Sequence, residues 1–236
     1  MIRNYITFGG KNLKDFGVYI SGSGTFNAPE RDRKTVAIPG RNGDLTLDNG
    51  RYKNITVKYP AGIVDSFSTN MEALRDYLLS FPGYARLEDT YHPEEYRMAR
   101  YSGGITVKPV NSLIAGQLDL AFDCMPQRFL KSGEDYITVT DGSVVLNPTM
   151  MRALPLLEVT ADNTSAWVKI GDNKVSIARQ GLIYIDCEMQ EAYDGTLNLN
   201  SYITLNNGVF PYLEAGENTI TLNKCWVSIM PRWWRL

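Results

Sequence analysis

Residues 38–60 read IPGRNGDLTLDNGRYKNITVKYP, and the reading of their first eight positions decides the fold. Gly40 and Gly43 flank Arg41 and Asn42, with Pro39 in front and Asp44 behind. A phosphate-cradling loop needs G-x-x-x-x-G-K-[ST] running into a helix, because the free helix N–H groups hold the anion. Here the glycines are three apart and no Lys-Ser/Thr follows. The chain continues as NITVKYP, where Ile55, Val57 and Tyr59 alternate with Thr56 and Lys58. Period-two alternation predicts a half-buried strand, so the glycines are read as positive-φ residues of a turn that holds Arg41 at its tip.

The same alternation recurs outward from this stretch. Leu118, Leu120, Phe122 and Cys124 share a phase in GQLDLAFDC, opposite Asp119 and Asp123. AWVKI and KVSIA repeat it around Gly171, Asp172 and Asn173, the pattern of a hairpin. One helix interrupts the strands. In TNMEALRDYLLS, Thr69 and Glu72 have capping-box spacing, Phe67 precedes them as a staple, and Met71, Leu74 and Leu78 recur at helical spacing before FPG at 81–83. From about residue 136 only short strands with close turn signals are expected, which suggests a β-sandwich. The fold class is therefore mainly β: an α+β N-terminal domain over 1–130 and an all-β sandwich over 131–236.

Composition supports a folded chain. The 236 residues are 44% hydrophobic and 21% charged, with net charge −2, which gives no global sign of nucleic-acid or acidic-membrane binding. Residues 1–130 carry 16 Lys+Arg and 14 Asp+Glu, whereas 131–236 carry 8 and 12, so net charge changes from +2 to −4 across the boundary. Cys124, Cys187 and Cys225 are few, odd in number and far apart, and are read as reduced, buried thiols. No signal-peptide h-region and no membrane span is read in the sequence.

Chemistry is sparse. His92, the single histidine, lies in DTYHPEEY and is read as a solvated loop residue, so neither a triad nor a zinc site finds support. Glu88/Asp89 and Glu94/Glu95 are sequence neighbours that would point to opposite faces of a strand, so they do not pair as glycosidase carboxylates do. Asp186 and Glu188 are two apart and would share a face, either helping to hold calcium or forming the wet side of a strand. Residues 31–60 hold seven Lys+Arg against three Asp+Glu, a basic excess suited to an acidic partner surface or to solvent. In CWVSIMPRWWRL, Trp226 is assigned to the core, and one of Trp233 and Trp234 is expected to face outward, onto a sugar or an interface.

Several stretches, taken in order, carry a family resemblance: IPGRNGDLTLDNGRYKNITVKYP, FPGYARLEDTYHPEEYRMAR, FDCMPQRFLKSGE, NPTMMRALPLLEV, IDCEMQEAY, FPYLEAGENTI and IMPRWWRL. Together they cover almost the whole chain, which resembles the distal tail protein (Dit) family of long-tailed phages of Gram-positive hosts. The resemblance implies a belt domain over 1–130, with one helix and a protruding hairpin, then a galectin-like or carbohydrate-module-like sandwich over 131–236. It implies a non-enzymatic virion protein of the distal tail tip or baseplate, made in the host cytoplasm, with no cofactor and no metal. Its implied partners are itself in a six-fold ring, the tail tube protein, and the tail-associated lysin or fibre protein, with a DNA channel through the ring. Pro39, Gly40, Arg41, Asn42 and Gly43 match a family loop and become the expected ring or tube contact. Residues 131–236 leave no room for the inserted arm that some relatives use to dock receptor-binding proteins. Contact with a receptor-binding protein or with cell-wall carbohydrate stays open, the latter as an alternative function with Trp233 and Trp234 as candidate aromatics.

Overall fold

The computed structural model describes residues 4–22, 24, 27–103, 107–110 and 115–236. They form a mainly β protein that divides into two compact units, Met1–Arg128 with Leu236, and Phe129–Arg235.

The first unit is built on one antiparallel sheet. Its strands run in the order Lys11–Asn12, Ile6–Phe8, Ala85–Asp89, Glu95–Tyr101, Ala115–Cys124, Ile55–Ile63 and Val18–Ile20. Ala115–Cys124 and Ile55–Ile63 pair along nine residues, from Gly116 opposite Ile63 to Cys124 opposite Ile55. The alternating residues of both strands point into one core, where Val57, Leu118, Leu120, Phe122 and Cys124 are all buried. The helix Phe67–Leu79 closes that core with Phe67, Met71, Leu74 and Leu78, one stripe at steps of four, three and four. Strand residue 116 must be small beneath this helix: a Cβ on Gly116 would overlap the Phe67 ring. The ring of Phe8 packs at 5.0 Å from Phe81 and 5.1 Å from Phe122, and the Tyr77 hydroxyl donates to the Phe8 carbonyl at 2.7 Å.

The helix begins earlier than the capping-box spacing predicts. Phe67 is its first residue, and Ser66 precedes it in a left-handed conformation, φ 45°, with no side-chain cap hydrogen bond. Thr69 and Glu72 therefore lie inside the helix. Burial of Phe67 against the sheet outweighs the local capping preference.

The second unit is a sandwich of two five-stranded antiparallel sheets. One runs Ile137–Val139, Cys225–Met230, Leu156–Ala161, Gly181–Asp186, Glu191–Tyr193; the other runs Val144–Asn147, Gly216–Asn223, Ala166–Ile170, Asn173–Ile177, Ile203–Leu205. Their facing residues, among them Leu157, Val159, Val168, Ile170, Ile185, Ile220, Val227 and Ile229, form a single core. Trp226 corrects the sequence expectation: it is 68% exposed. Val227 and Ile229 set the inward phase of its strand, so Trp226 and Ser228 point out. Trp233 is the tryptophan that joins the core, at 4% exposure. Close packing of the chain around it needs Gly133, where a Cβ would overlap the Trp233 backbone nitrogen.

Candidate functional site

The strands Arg31–Val36 and Leu45–Tyr52 form a two-stranded ribbon of their own. Residues 38–44 connect them. The Arg41 amide donates to the Ile38 carbonyl at 3.2 Å, closing a turn with Pro39 and Gly40 at its centre. Gly40 has φ 77°, so the proline presets the first central position and the glycine supplies the positive φ of the second. Gly43 has φ 82°. Nothing helical follows, so no N–H cluster faces a phosphate.

Every residue from 33 to 51 is exposed. Register makes the ribbon two-sided. Val36 is opposite Leu45 and Lys34 opposite Leu47, which places three apolar side chains on one face; Thr35 opposite Thr46 and Arg33 opposite Asp48 make the other face polar. Val36, Leu45 and Leu47 are 39%, 42% and 49% exposed, and Ile38 adds another apolar group at the tip. Ion pairs fasten the base: Arg51 to Asp32 at 2.7 Å, Lys53 to Glu30 at 3.4 Å and Arg33 to Asp48 at 3.6 Å. The Arg31 guanidinium lies 4.3 Å from the centre of the Tyr52 ring. Exposed pairs of this kind contribute about 0–1 kcal/mol each, so they set register more than they hold the ribbon. Lys34 and Arg41 have no ion-pair partner among the described residues. With Lys58 on the strand Ile55–Ile63 likewise unpaired among the described residues, the basic excess read over 31–60 reduces on the ribbon itself to these two cations at and near the tip.

The remaining candidates resolve differently. His92 is half-buried rather than solvated: its Nδ1 lies 3.2 Å from Asp89 Oδ1, and its amide donates to the same oxygen at 2.8 Å. Asp89 also accepts from the Tyr59 hydroxyl at 2.8 Å. These groups line a cavity of about 20 Å³, room for one water, together with the buried Arg97. The network ties a loop to the sheet and brings no serine or cysteine to the histidine among the described contacts.

Asp186 is 4% exposed, not the wet side of a strand. Burial alone pushes its carboxyl up, but two hydrogen bonds from Arg232, both 2.8 Å, and the amides of Met189 and Glu188 outweigh that and hold it below the usual carboxylate range. Glu188 also reaches Arg232 at 3.3 Å. The two acids converge on a guanidinium, and no metal-binding group of acids, histidines and cysteines occurs among the described residues. Arg232, whose φ is 56°, is the residue that sequence reasoning missed; the signal was an acid pair two residues apart with no assigned counter-charge.

Trp234 is half-buried and donates from Nε1 to the Arg152 carbonyl at 2.9 Å. Cys124 and Cys187 are buried and Cys225 is partly exposed; all three are free. Burial pushes the Cys124 thiol up to about 12 and raises those of Cys187 and Cys225. A cavity of about 480 Å³ is lined by Tyr19, Ser21, Pro60, Gln117 and Asp119 among others, with one carboxylate and no base among its described lining residues.

The mainly β fold, with its single described α-helix, is one that solved phage tail and baseplate proteins share. In particular, the chain matches the Dit protein of phage SPP1, a paradigm of the hub adsorption apparatus in phages infecting Gram-positive bacteria, with a TM-score of 0.74 over 99% of both chains at 11% identity. It also matches a chain of the phage P2 baseplate in its activated, calcium-containing conformation, with a TM-score of 0.51 over 97% of this chain and 98% of that one, at 12% identity. No protein-family model and no curated sequence matches the chain. The resemblance read from the sequence is thus met at the level of the fold.

Proposed function

We propose that the chain is a non-enzymatic hub protein of a phage tail tip. It assembles head-to-tail into a six-fold ring that joins the tail tube to the tail-associated lysin or fibre and leaves a channel for DNA. Its place is the distal end of the virion tail. Among the described residues, no helix is long and apolar enough to cross a membrane. We read 1–130 as the ring-forming belt and 131–236 as the galectin-like sandwich, a division that falls within two residues of the boundary between the two compact units.

The observation that carries this reading is the ribbon. A two-stranded hairpin exposed on both faces is marginally stable in water, and one with three apolar side chains on one face gains stability by burying them. A ring needs head-to-tail contact between two different surfaces of one protomer, and a projecting two-sided element is suited to supplying one of them. Pro39 to Gly43 at the tip, with the uncompensated Arg41, then meet the next subunit or the tube. The likeness in fold to Dit of SPP1 and to a baseplate chain of P2 supports the same assignment.

Light scattering on the full chain across a concentration series tests it. The expected result is a species several-fold heavier than the 26.5 kDa protomer, growing with concentration or on addition of tail partners. A monomer under all conditions overturns it.

A further inference from the structure

The outer face of the sheet containing Leu156–Ala161 carries an unusual row. The registers place Thr138 opposite Ser228, Ser228 opposite Glu158, Glu158 opposite Tyr184, and Tyr184 opposite Tyr193, one residue from each of the five strands. With strands about 4.8 Å apart, the row is about 19 Å long. It reads hydroxyl, hydroxyl, carboxylate, aromatic, aromatic. The Tyr184 and Tyr193 rings stack on one another, 5.6 Å between centroids at an interplanar angle of 24°. Glu158 and both tyrosine hydroxyls have no hydrogen-bond partner among the described residues. Two residues along the strands, Trp226 lies opposite Thr160, which lies opposite Leu182. Trp226 borders a depression of about 250 Å³ that Asp141, Asp162 and Lys224 help to line.

We propose that this face binds a neutral polysaccharide. Flat aromatic rings offer apolar area with polar edges, which suits the apolar faces and hydroxyl rims of pyranose rings. Glu158 in the middle of the row accepts two or more hydrogen bonds, and the flanking hydroxyls both donate and accept. A docked protein would have to match an uncompensated carboxylate with a cation or lose its hydration; sugar hydroxyls satisfy it without a charge. Electrostatics select the ligand further. Glu158, Asp186, Glu188 and Glu191 stand at or beside this face, and Asp141 and Asp162 line the depression by Trp226, against the two cations Arg232 and Lys224, so a phosphate-bearing or uronate polymer is disfavoured. The site differs from the two C-terminal tryptophans, of which Trp233 is buried. The inference is independent of ring assembly, which uses the other unit.

The test is a glycan array carrying neutral hexose and N-acetylhexosamine oligomers beside glycerol-phosphate polymers. The full chain is used, followed by calorimetric titration of the best neutral oligomer. Binding to neutral oligomers is expected, weakened about tenfold or more by Glu158→Gln and by Tyr184→Ala, and about threefold or more by Trp226→Ala. Glu158→Gln keeps the shape of the side chain, and Trp226 is too exposed for its loss to unfold the sandwich, so at least two variants report on binding alone. Absence of binding to every neutral oligomer, preference for the phosphate polymers, or unchanged affinity in Glu158→Gln and Trp226→Ala would overturn the proposal. Each variant should keep the parent's oligomeric mass, which separates this outcome from failure of the ring.

Discussion

Val36 and Leu45 face each other across a ribbon whose residues 33–51 are all exposed. In the proposed assembly this cross-strand apolar pair, at 39% and 42% exposure and continued by Leu47, is one half of the contact. Replacing Leu47 or Val36 by Asp should weaken self-association at least about tenfold, or about 1.4 kcal/mol. The unfolding temperature of the protomer should stay the same, because neither side chain touches the core. Sedimentation velocity beside differential scanning calorimetry separates the two effects.

Arg41 tests the tip alone. Arg41→Glu reverses the charge of a residue with no ion-pair partner among those described, so protomer stability should change by less than about 0.5 kcal/mol. Assembly should weaken, and the loss should shrink at high salt, as expected for an exposed charge. If assembly is unchanged, Arg41 is only a solvated loop residue.

The Asp186–Arg232 pair predicts an acid-sensitive sandwich. The folded Asp186 carboxyl lies below its ordinary value, so it binds its proton less readily in the folded than in the unfolded chain. Its contribution is full above the unfolded value of about 3.9 and is lost as pH falls through the lower folded value. Arg232→Ala leaves a carboxylate buried at 4% exposure without its cation. The cost should be about 2–3 kcal/mol, less than for a sealed pair because the Arg232 side chain keeps 23% exposure. Urea unfolding at pH 7 and pH 3 measures both; the difference between parent and variant should narrow at the lower pH.

Gly133 predicts a packing limit. A methyl group there meets the backbone of Trp233 rather than a movable side-chain end. Gly133→Ala should destabilise the sandwich by about 1–3 kcal/mol, read as a lower denaturant midpoint with an unchanged slope.

Much of the fold was legible because period-two alternation survives where one sheet face is wet. Ile55, Val57 and Tyr59, and Leu118, Leu120, Phe122 and Cys124, are buried in the phase the sequence suggests. Trp226 shows the limit of judging a residue by its own hydrophobicity. Phase belongs to the whole strand, and Val227 with Ile229 outvote a single large aromatic. The helix start was misplaced for a related reason: Thr69 and Glu72 have the local spacing of a cap, but the burial of Phe67 depends on Gly116 some fifty residues away. The Arg232 site was illegible because Arg232 lies more than forty residues along the chain from its two acids and its left-handed backbone has no glycine to announce it. At the ribbon, sequence revealed the turn and the basic excess. Which cations are paired away, and which apolar residues share a face, depends on cross-strand register, shifted by the irregularity between Arg31 and Arg33.

The central claim is that this fold works by closing on copies of itself. Negative-stain imaging of the full chain, alone and with the tail proteins it would join, tests that most directly. The account predicts closed six-fold rings with a central hole, and their loss in Leu47→Asp. Isolated monomers in every preparation, or compact assemblies without a hole, would contradict it.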